Sequence, residues 1–92
     1  MPNILQICGY YVFFWVNDKQ EPIHVHVNKK RAKGKSTKIW LTKAGACLMA
    51  NNNSRIPAKD LAKIIEAITA NHFYICRKWQ EYFGQDALKF YC

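Results

Sequence analysis

The sequence predicts one small α+β domain, in which a short antiparallel sheet of three or four strands precedes one long or broken C-terminal helix. The prediction rests on a change of pattern near Pro57. Before it, short β-branched and aromatic segments alternate with polar turns; after it, apolar residues recur every three or four positions. A chain of 92 residues suits a single domain, with the sheet in residues 3–50, the helical region in 57–84 and a short tail in 85–92.

The strands are expected where apolar residues run continuously or alternate. Tyr10 to Val16 is apolar on both strand faces. Since one helix covers only one face, a homodimer or a partner protein is expected to bury the other. Pro22 opens the next segment, in which Ile23, Val25 and Val27 alternate with polar residues. The predicted strands are 10–16, 22–28, 37–42 and 44–50.

The C-terminal half carries the spacing of an amphipathic helix. Pro57 suits a helix start, Gly84 lies where a C-terminal cap belongs, and Asn71 marks a possible break. The apolar stripe consists of Leu61, Ile64, Ile65, Ile68, Ile75, Cys76, Trp79, Tyr82 and Phe83.

The composition argues against export and against a cysteine-based metal site. The N-terminus lacks a positive segment followed by an apolar run, so a cytoplasmic protein is expected. The cysteines have no CxxC spacing, so no zinc knuckle and no cofactor are predicted. Cys8, Cys47 and Cys76 lie in apolar surroundings and are expected as reduced core residues.

The charge is strongly positive and unevenly spread. Fourteen Lys and Arg oppose six Asp and Glu, giving a net charge of +8. Seven basic residues and no acidic one lie between Lys29 and Lys43. Such clustering attracts polyanions, although a solvated loop that aids solubility has the same composition. The predicted nucleic-acid-binding residues are Lys29, Lys30, Arg31, Lys33, Lys35 and Lys38.

Several segments resemble the bacterial domain-of-unknown-function family 4160. They are Gly9-Tyr10 with the aromatics that follow, Asn17-Asp18, Glu21 to Val27, Lys38 to Leu41, and Lys78 to Gly84. The resemblance runs from Met1 to about Gly84. It implies a short sheet plus helix, a bacterial cytoplasmic origin, and a neighbouring small protein as in toxin–antitoxin modules. The resemblance implies no catalytic activity, because the family has no established chemistry. The family usually has a second proline where Ile23 stands, and the basic loop is not a family trait.

His24 and His26 are the candidate catalytic residues. Positions i and i+2 of a strand share a face, with Cα atoms about 6.5–7 Å apart. Two such imidazoles can divide the acid and base roles of RNA cleavage, bind a metal, or serve as structural hydrogen-bonding groups. A metal needs a third ligand from Asp18, Glu21 or His72. Their spacing does not enforce convergence, so no metal site is predicted and His72 is expected to be structural.

Three functions remain open at this point, and the sequence leaves undecided whether the protein is an enzyme. The first is a binding module of a toxin–antitoxin-like pair that contacts RNA or DNA through the basic loop. The second is a non-catalytic interaction domain that pairs with itself or with a cognate small protein. The third is a histidine-dependent, ribonuclease-like toxin. There is no Gly-rich phosphate loop, no nucleophile elbow and no pair of carboxylates with acid/base spacing, so nucleotide and glycoside hydrolysis are poorly supported.

Overall fold

The computed structural model describes residues 3–15, 18–29 and 35–92. Within those ranges the chain forms one antiparallel sheet followed by two helices, which confirms the α+β class. The strands are β1 (Asn3–Ile7), β2 (Tyr10–Phe13), β3 (His24–Asn28), β4 (Thr37–Leu41) and β5 (Cys47–Asn52), and the helices are α1 (Ala58–Ala70) and α2 (His72–Phe83). Short 3₁₀ turns cover Asp18–Gln20 and Gln85–Ala87.

The sheet is a meander in which the strands lie side by side in chain order, β1-β2-β3-β4-β5. The described residues thus hold five strands, and the prediction of three or four was wrong. The additional strand is β1, where Leu5 pairs with Val12 and Ile7 with Tyr10. A two-residue turn at Cys8-Gly9, both with positive φ, joins it to β2.

Two further expectations about the first half need correction. Cys8 is exposed because it lies in the tight β1–β2 turn, and Cys47 is only half-buried, whereas Cys76 is buried. Strand β2 ends at Phe13, short of the predicted Val16. One reason is that the Trp15 N–H donates to the carboxylate of Asp18, while Val16 lies outside the described residues.

The core lies between one sheet face and the two helices. Val25 and Val27 of β3 and Ile39 and Leu41 of β4 are fully buried. Burying a side chain of this size stabilises the fold by roughly 1.5–3 kcal/mol. The helices contribute Ile64, Ile68, Ile75, Trp79 and Phe83 to the same cluster, which confirms the core position of Trp79. Tyr82, also predicted in the apolar stripe, is 44% exposed.

The helical region is broken at Asn71, as predicted, but the Asn71 side chain does not cap the start of α2. The Asn71 N–H donates to the carbonyls of Ala67 and Ile68, and its side-chain amide also donates to Ala67. These bonds satisfy carbonyls that the end of α1 would leave unpaired. Gly84, with a φ of 112°, ends α2. In the described part of the chain, neither helix is long and apolar enough to cross a membrane.

The C-terminal segment 85–92 is joined to the rest of the chain by backbone hydrogen bonds beside β3 and β4, by a bond from α2 and by a ring stack on β4. The N–H of Ile23 donates to Lys89 O at 2.8 Å, and that of Lys43 donates to Cys92 O at 2.9 Å. The Trp79 indole N–H donates to Ala87 O. Tyr91 stacks on Trp40 with ring centroids 4.8 Å apart. The C-terminal segment therefore borders the face of the sheet that carries the histidines.

Candidate functional site

The two histidines of β3 converge on one aspartate. Both project from the sheet face opposite Val25 and Val27, as the alternation predicts. His24 Nε2 lies 3.2 Å from Oδ1 of Asp18, and His26 Nε2 lies 3.1 Å from Oδ2. The ligand atoms of the three side chains all lie within 4.8 Å of one another. A 3₁₀ turn and the strand that follows it thus build a compact Asp–His–His cluster.

Backbone bonds hold Asp18 in place. Its Oδ2 accepts the Trp15 N–H at 2.8 Å, and its own N–H donates to Trp15 O at 3.1 Å. The side chain is 7% exposed. Burial alone would raise the pKa of Asp18, but its contacts with His24, His26 and the Trp15 N–H outweigh burial and hold that pKa well below its usual range. The carboxylate is therefore ionised at neutral pH.

The second ring nitrogen of each histidine is also bound. His24 Nδ1 lies 2.8 Å from Pro22 O, and because a carbonyl only accepts, the hydrogen sits on Nδ1. His26 Nδ1 lies 3.2 Å from the hydroxyl of Ser36. Each ring is thus oriented through Nδ1 and presents Nε2 to Asp18.

His24 Nε2 is a fully buried polar atom without a hydrogen-bond partner among the described residues. Its 3.2 Å approach to Asp18 Oδ1 falls outside hydrogen-bond geometry. A buried, unsatisfied nitrogen is costly, so this atom needs a physical explanation.

Aromatic rings enclose the cluster. Phe13 stacks on His26 at 5.7 Å, and Trp15 meets the same ring edge-on at 5.8 Å. Trp40 and Trp79 approach His24 edge-on at 5.3 and 5.6 Å. His24 is fully buried and the His26 side chain is 13% exposed. In this conformation, of the two histidines only His26 is open to a substrate, so the two do not offer a matched acid and base.

The other two candidate ligands lie elsewhere. Glu21 pairs with Lys38. His72 Nε2 lies 2.8 Å from Thr42 O, and its ring stacks on Phe90, which is the structural role expected for it. Asp18 is the candidate that joins the histidines. Sequence spacing did not single it out, because its position depends on the turn that leads into β3.

The predicted nucleic-acid-binding residues are only partly described. Lys30, Arg31 and Lys33 lie outside the described residues. Lys29 and Lys35 are exposed at the two ends of the β3–β4 connection. Lys38 pairs across the strands with His26, and its ammonium lies 4.3 Å from the centre of the Trp40 ring.

A family model described as a domain of unknown function, DUF4160, matches residues 9–80. No curated protein and no solved structure matches the chain.

Proposed function

Because this chain belongs to the DUF4160 family, whose description assigns no activity, we propose a function from the site itself. The protein binds single-stranded RNA or DNA through the basic β3–β4 connection and the aromatic face beside it. It acts as the binding module of a two-protein, toxin–antitoxin-like pair.

The observation that carries this proposal is the position of cations next to aromatic rings on the histidine face. Lys29 and Lys35 stand exposed at the ends of the connection, and Lys38 lies over Trp40. Tyr91 stacks on Trp40 with an interplanar angle of 7° and is itself 59% exposed. Trp40 is three residues from the start of β4, which places this stack about 10 Å along the strand from the connection.

This arrangement suits a single strand better than a duplex. Lysine ammonium groups attract phosphates without reading sequence, and an exposed aromatic ring stacks on any unpaired base. In a duplex the bases are already stacked on each other and are not available to Tyr91. We therefore expect weak sequence preference and a strong dependence of affinity on salt.

The test is fluorescence anisotropy of a labelled single-stranded RNA and DNA, titrated with protein over a series of KCl concentrations. Replacing Lys29 and Lys35 with Ala should reduce the slope of log K against log salt by about 1.4, because each lost phosphate contact contributes about 0.7 on a single strand. The matched control replaces Lys59 and Lys63, two exposed lysines of α1, with Ala. Absence of binding in low salt, or an equal loss in both double variants, would refute the proposal.

A second candidate function is binding of a protein partner, favoured by exposed aromatic residues on α2. Phe73 is 76% exposed, and Tyr74 and Tyr82 are 40% and 44% exposed. Large exposed rings of this kind are enriched at protein interfaces. The occupant would be a second copy of the chain or a cognate small protein.

Sedimentation velocity at micromolar concentration tests whether the chain binds a second copy of itself. A homodimer has twice the 10.8 kDa chain mass, and Phe73→Ser should return it to the monomer while Ala70→Ser, at an exposed position of α1, should not. If the wild type is a monomer, self-association is excluded and the expected partner is a cognate small protein. Co-expression with the neighbouring gene product tests that case.

A further inference from the structure

We propose that Asp18, His24 and His26 form a binding site for a divalent first-row transition-metal ion. The ion would be held by Nε2 of each histidine and by the carboxylate of Asp18. The starting observation is His24 Nε2, which is fully buried, directed into the cluster and without a hydrogen-bond partner among the described atoms.

The tautomer of His24 leaves Nε2 free to act as a metal ligand. With the hydrogen on Nδ1 committed to Pro22 O, a neutral ring presents a lone pair at Nε2. That lone pair faces a carboxylate oxygen 3.2 Å away, and a metal ion between the two atoms would satisfy both. A protonated ring is the alternative, but its Nε2–H would then have to point at Oδ1, and the contact lacks that geometry.

The surrounding bonds have the form that metal-binding histidines require. A ligating imidazole almost always donates its other N–H to a carbonyl, carboxylate or water, which fixes the tautomer and the ring plane. Here Pro22 O performs this role for His24. In this structure His26 Nε2 donates to Asp18, and the Ser36 hydroxyl, 3.2 Å from His26 Nδ1, can accept from that nitrogen when Nε2 binds the metal. Both Nε2 atoms are left to face the same carboxylate.

The distances also fit a common metal ion. Ligand bonds of 2.0–2.1 Å in a tetrahedral site separate neighbouring ligand atoms by about 3.3 Å. The two nitrogen–oxygen separations here are 3.2 and 3.1 Å, close to that value, and the three ligand atoms all lie within 4.8 Å of one another. Two imidazoles and one carboxylate are the donors of many zinc and non-haem iron sites.

The charge and the burial of the site point to a structural ion. Asp18 is buried, and the ammonium of Lys38 is paired with Glu21. A divalent ion would neutralise the carboxylate inside a shell of aromatic rings. Since His24 is inaccessible and His26 only slightly exposed, the ion would stabilise the fold, with its remaining coordination position taken by solvent.

The test uses the full-length protein, stripped with chelator and titrated with ZnSO₄ by isothermal calorimetry. We expect one ion per chain. Asp18→Asn and His26→Gln should each weaken binding by at least about 100-fold, since loss of even an outer partner costs 10–100-fold. Glu21→Gln and His72→Gln are the matched controls, because these two candidate ligands lie outside the cluster. Zinc should raise the melting temperature of the wild type and leave that of Asp18→Asn unchanged.

Exposed thiols are a competing source of zinc affinity, since Cys8 and Cys92 are both exposed. Co²⁺ separates the two cases on the wild-type protein, because thiolate ligands give a near-ultraviolet charge-transfer band that imidazole and carboxylate ligands lack. Saturable binding without that band supports the site even if a ligand variant fails to fold. No uptake, a thiolate band, or unchanged zinc affinity in folded Asp18→Asn would overturn the proposal.

Discussion

Asp18 and His24 meet with a carboxylate oxygen and a ring nitrogen 3.2 Å apart, one from a 3₁₀ turn and the other from the first position of β3. The second oxygen of the same carboxylate accepts a hydrogen bond from His26 Nε2 at 3.1 Å, and this bond ties the turn to the strand. The geometry of the histidine face therefore depends on a single acidic side chain.

Removing the charge of Asp18 should destabilise the protein even without metal. In Asp18→Asn, one carboxylate oxygen becomes an amide nitrogen, so the Trp15 N–H and the His26 Nε2–H compete for a single acceptor oxygen. We expect the free energy of unfolding to fall by about 1–3 kcal/mol, the range for an unsatisfied buried group. Urea denaturation in the presence of a chelator measures it. Asp86→Asn, at an exposed position, should change stability little. Equal stability of the two variants would show that the cluster does not hold the turn.

The two histidines should differ in their effect on folding. His24 is fully buried among rings, whereas His26 is partly exposed, so His24→Ala should destabilise more than His26→Ala. If the histidines are structural, each replacement should lower the free energy of unfolding by about 1–3 kcal/mol. Thermal melts and an expression-toxicity assay for each variant check this. If both variants lost RNA cleavage or toxicity with unchanged melting temperatures, the residues would be catalytic.

Tyr10 predicts the response to alkaline pH. Its burial raises the pKa, and the hydrogen bond of its hydroxyl to Asp60, 2.9 Å long, raises it further. A tyrosine whose pKa is higher in the folded state contributes full stability below its unfolded pKa of about 10, and that stability is lost as the pH rises above it.

The free energy of unfolding of the wild type should therefore fall more steeply above about pH 10 than that of Tyr10→Phe. At neutral pH the variant should be about 1 kcal/mol less stable, because it lacks the hydrogen bond. Tyr74→Phe, at a half-exposed surface position, is the control. Parallel pH curves for wild type and Tyr10→Phe would contradict this account.

Tyr91 should contribute to affinity for a single strand without affecting the salt dependence. Loss of one stacked base costs about 1–3 kcal/mol, so Tyr91→Ala should weaken binding of a labelled oligonucleotide by that amount at every salt concentration. Tyr91→Phe keeps the ring and should bind like the wild type. A Tyr91→Ala variant with wild-type affinity would remove the stacking surface from the proposal.

Local patterns predicted much of this fold, and contacts between distant segments account for what they missed. The alternation of Val25 and Val27 with the histidines fixed both faces of β3, and Asn71 and Gly84 marked the helix ends through their backbone chemistry. Strand β1 was missed because a short apolar segment becomes a strand only by pairing with β2.

In the candidate site, too, local patterns predicted only part of the geometry. The shared face of His24 and His26 follows from strand geometry alone. Their convergence on Asp18 depends on the backbone bonds between Trp15 and Asp18, and no spacing rule contains those bonds. The docking of Tyr91 on Trp40 likewise joins residues 51 positions apart.

The proposal that the basic connection and its neighbouring aromatic face bind a single strand is tested most directly by a nuclear magnetic resonance titration. Amide resonances of the ¹⁵N-labelled protein are followed as an unlabelled single-stranded oligonucleotide is added. The account predicts that the largest shifts occur at Lys29, Lys35, Lys38 and Tyr91, and that they reverse in high salt. Shifts confined to α1 and α2, or none at low salt, would contradict it.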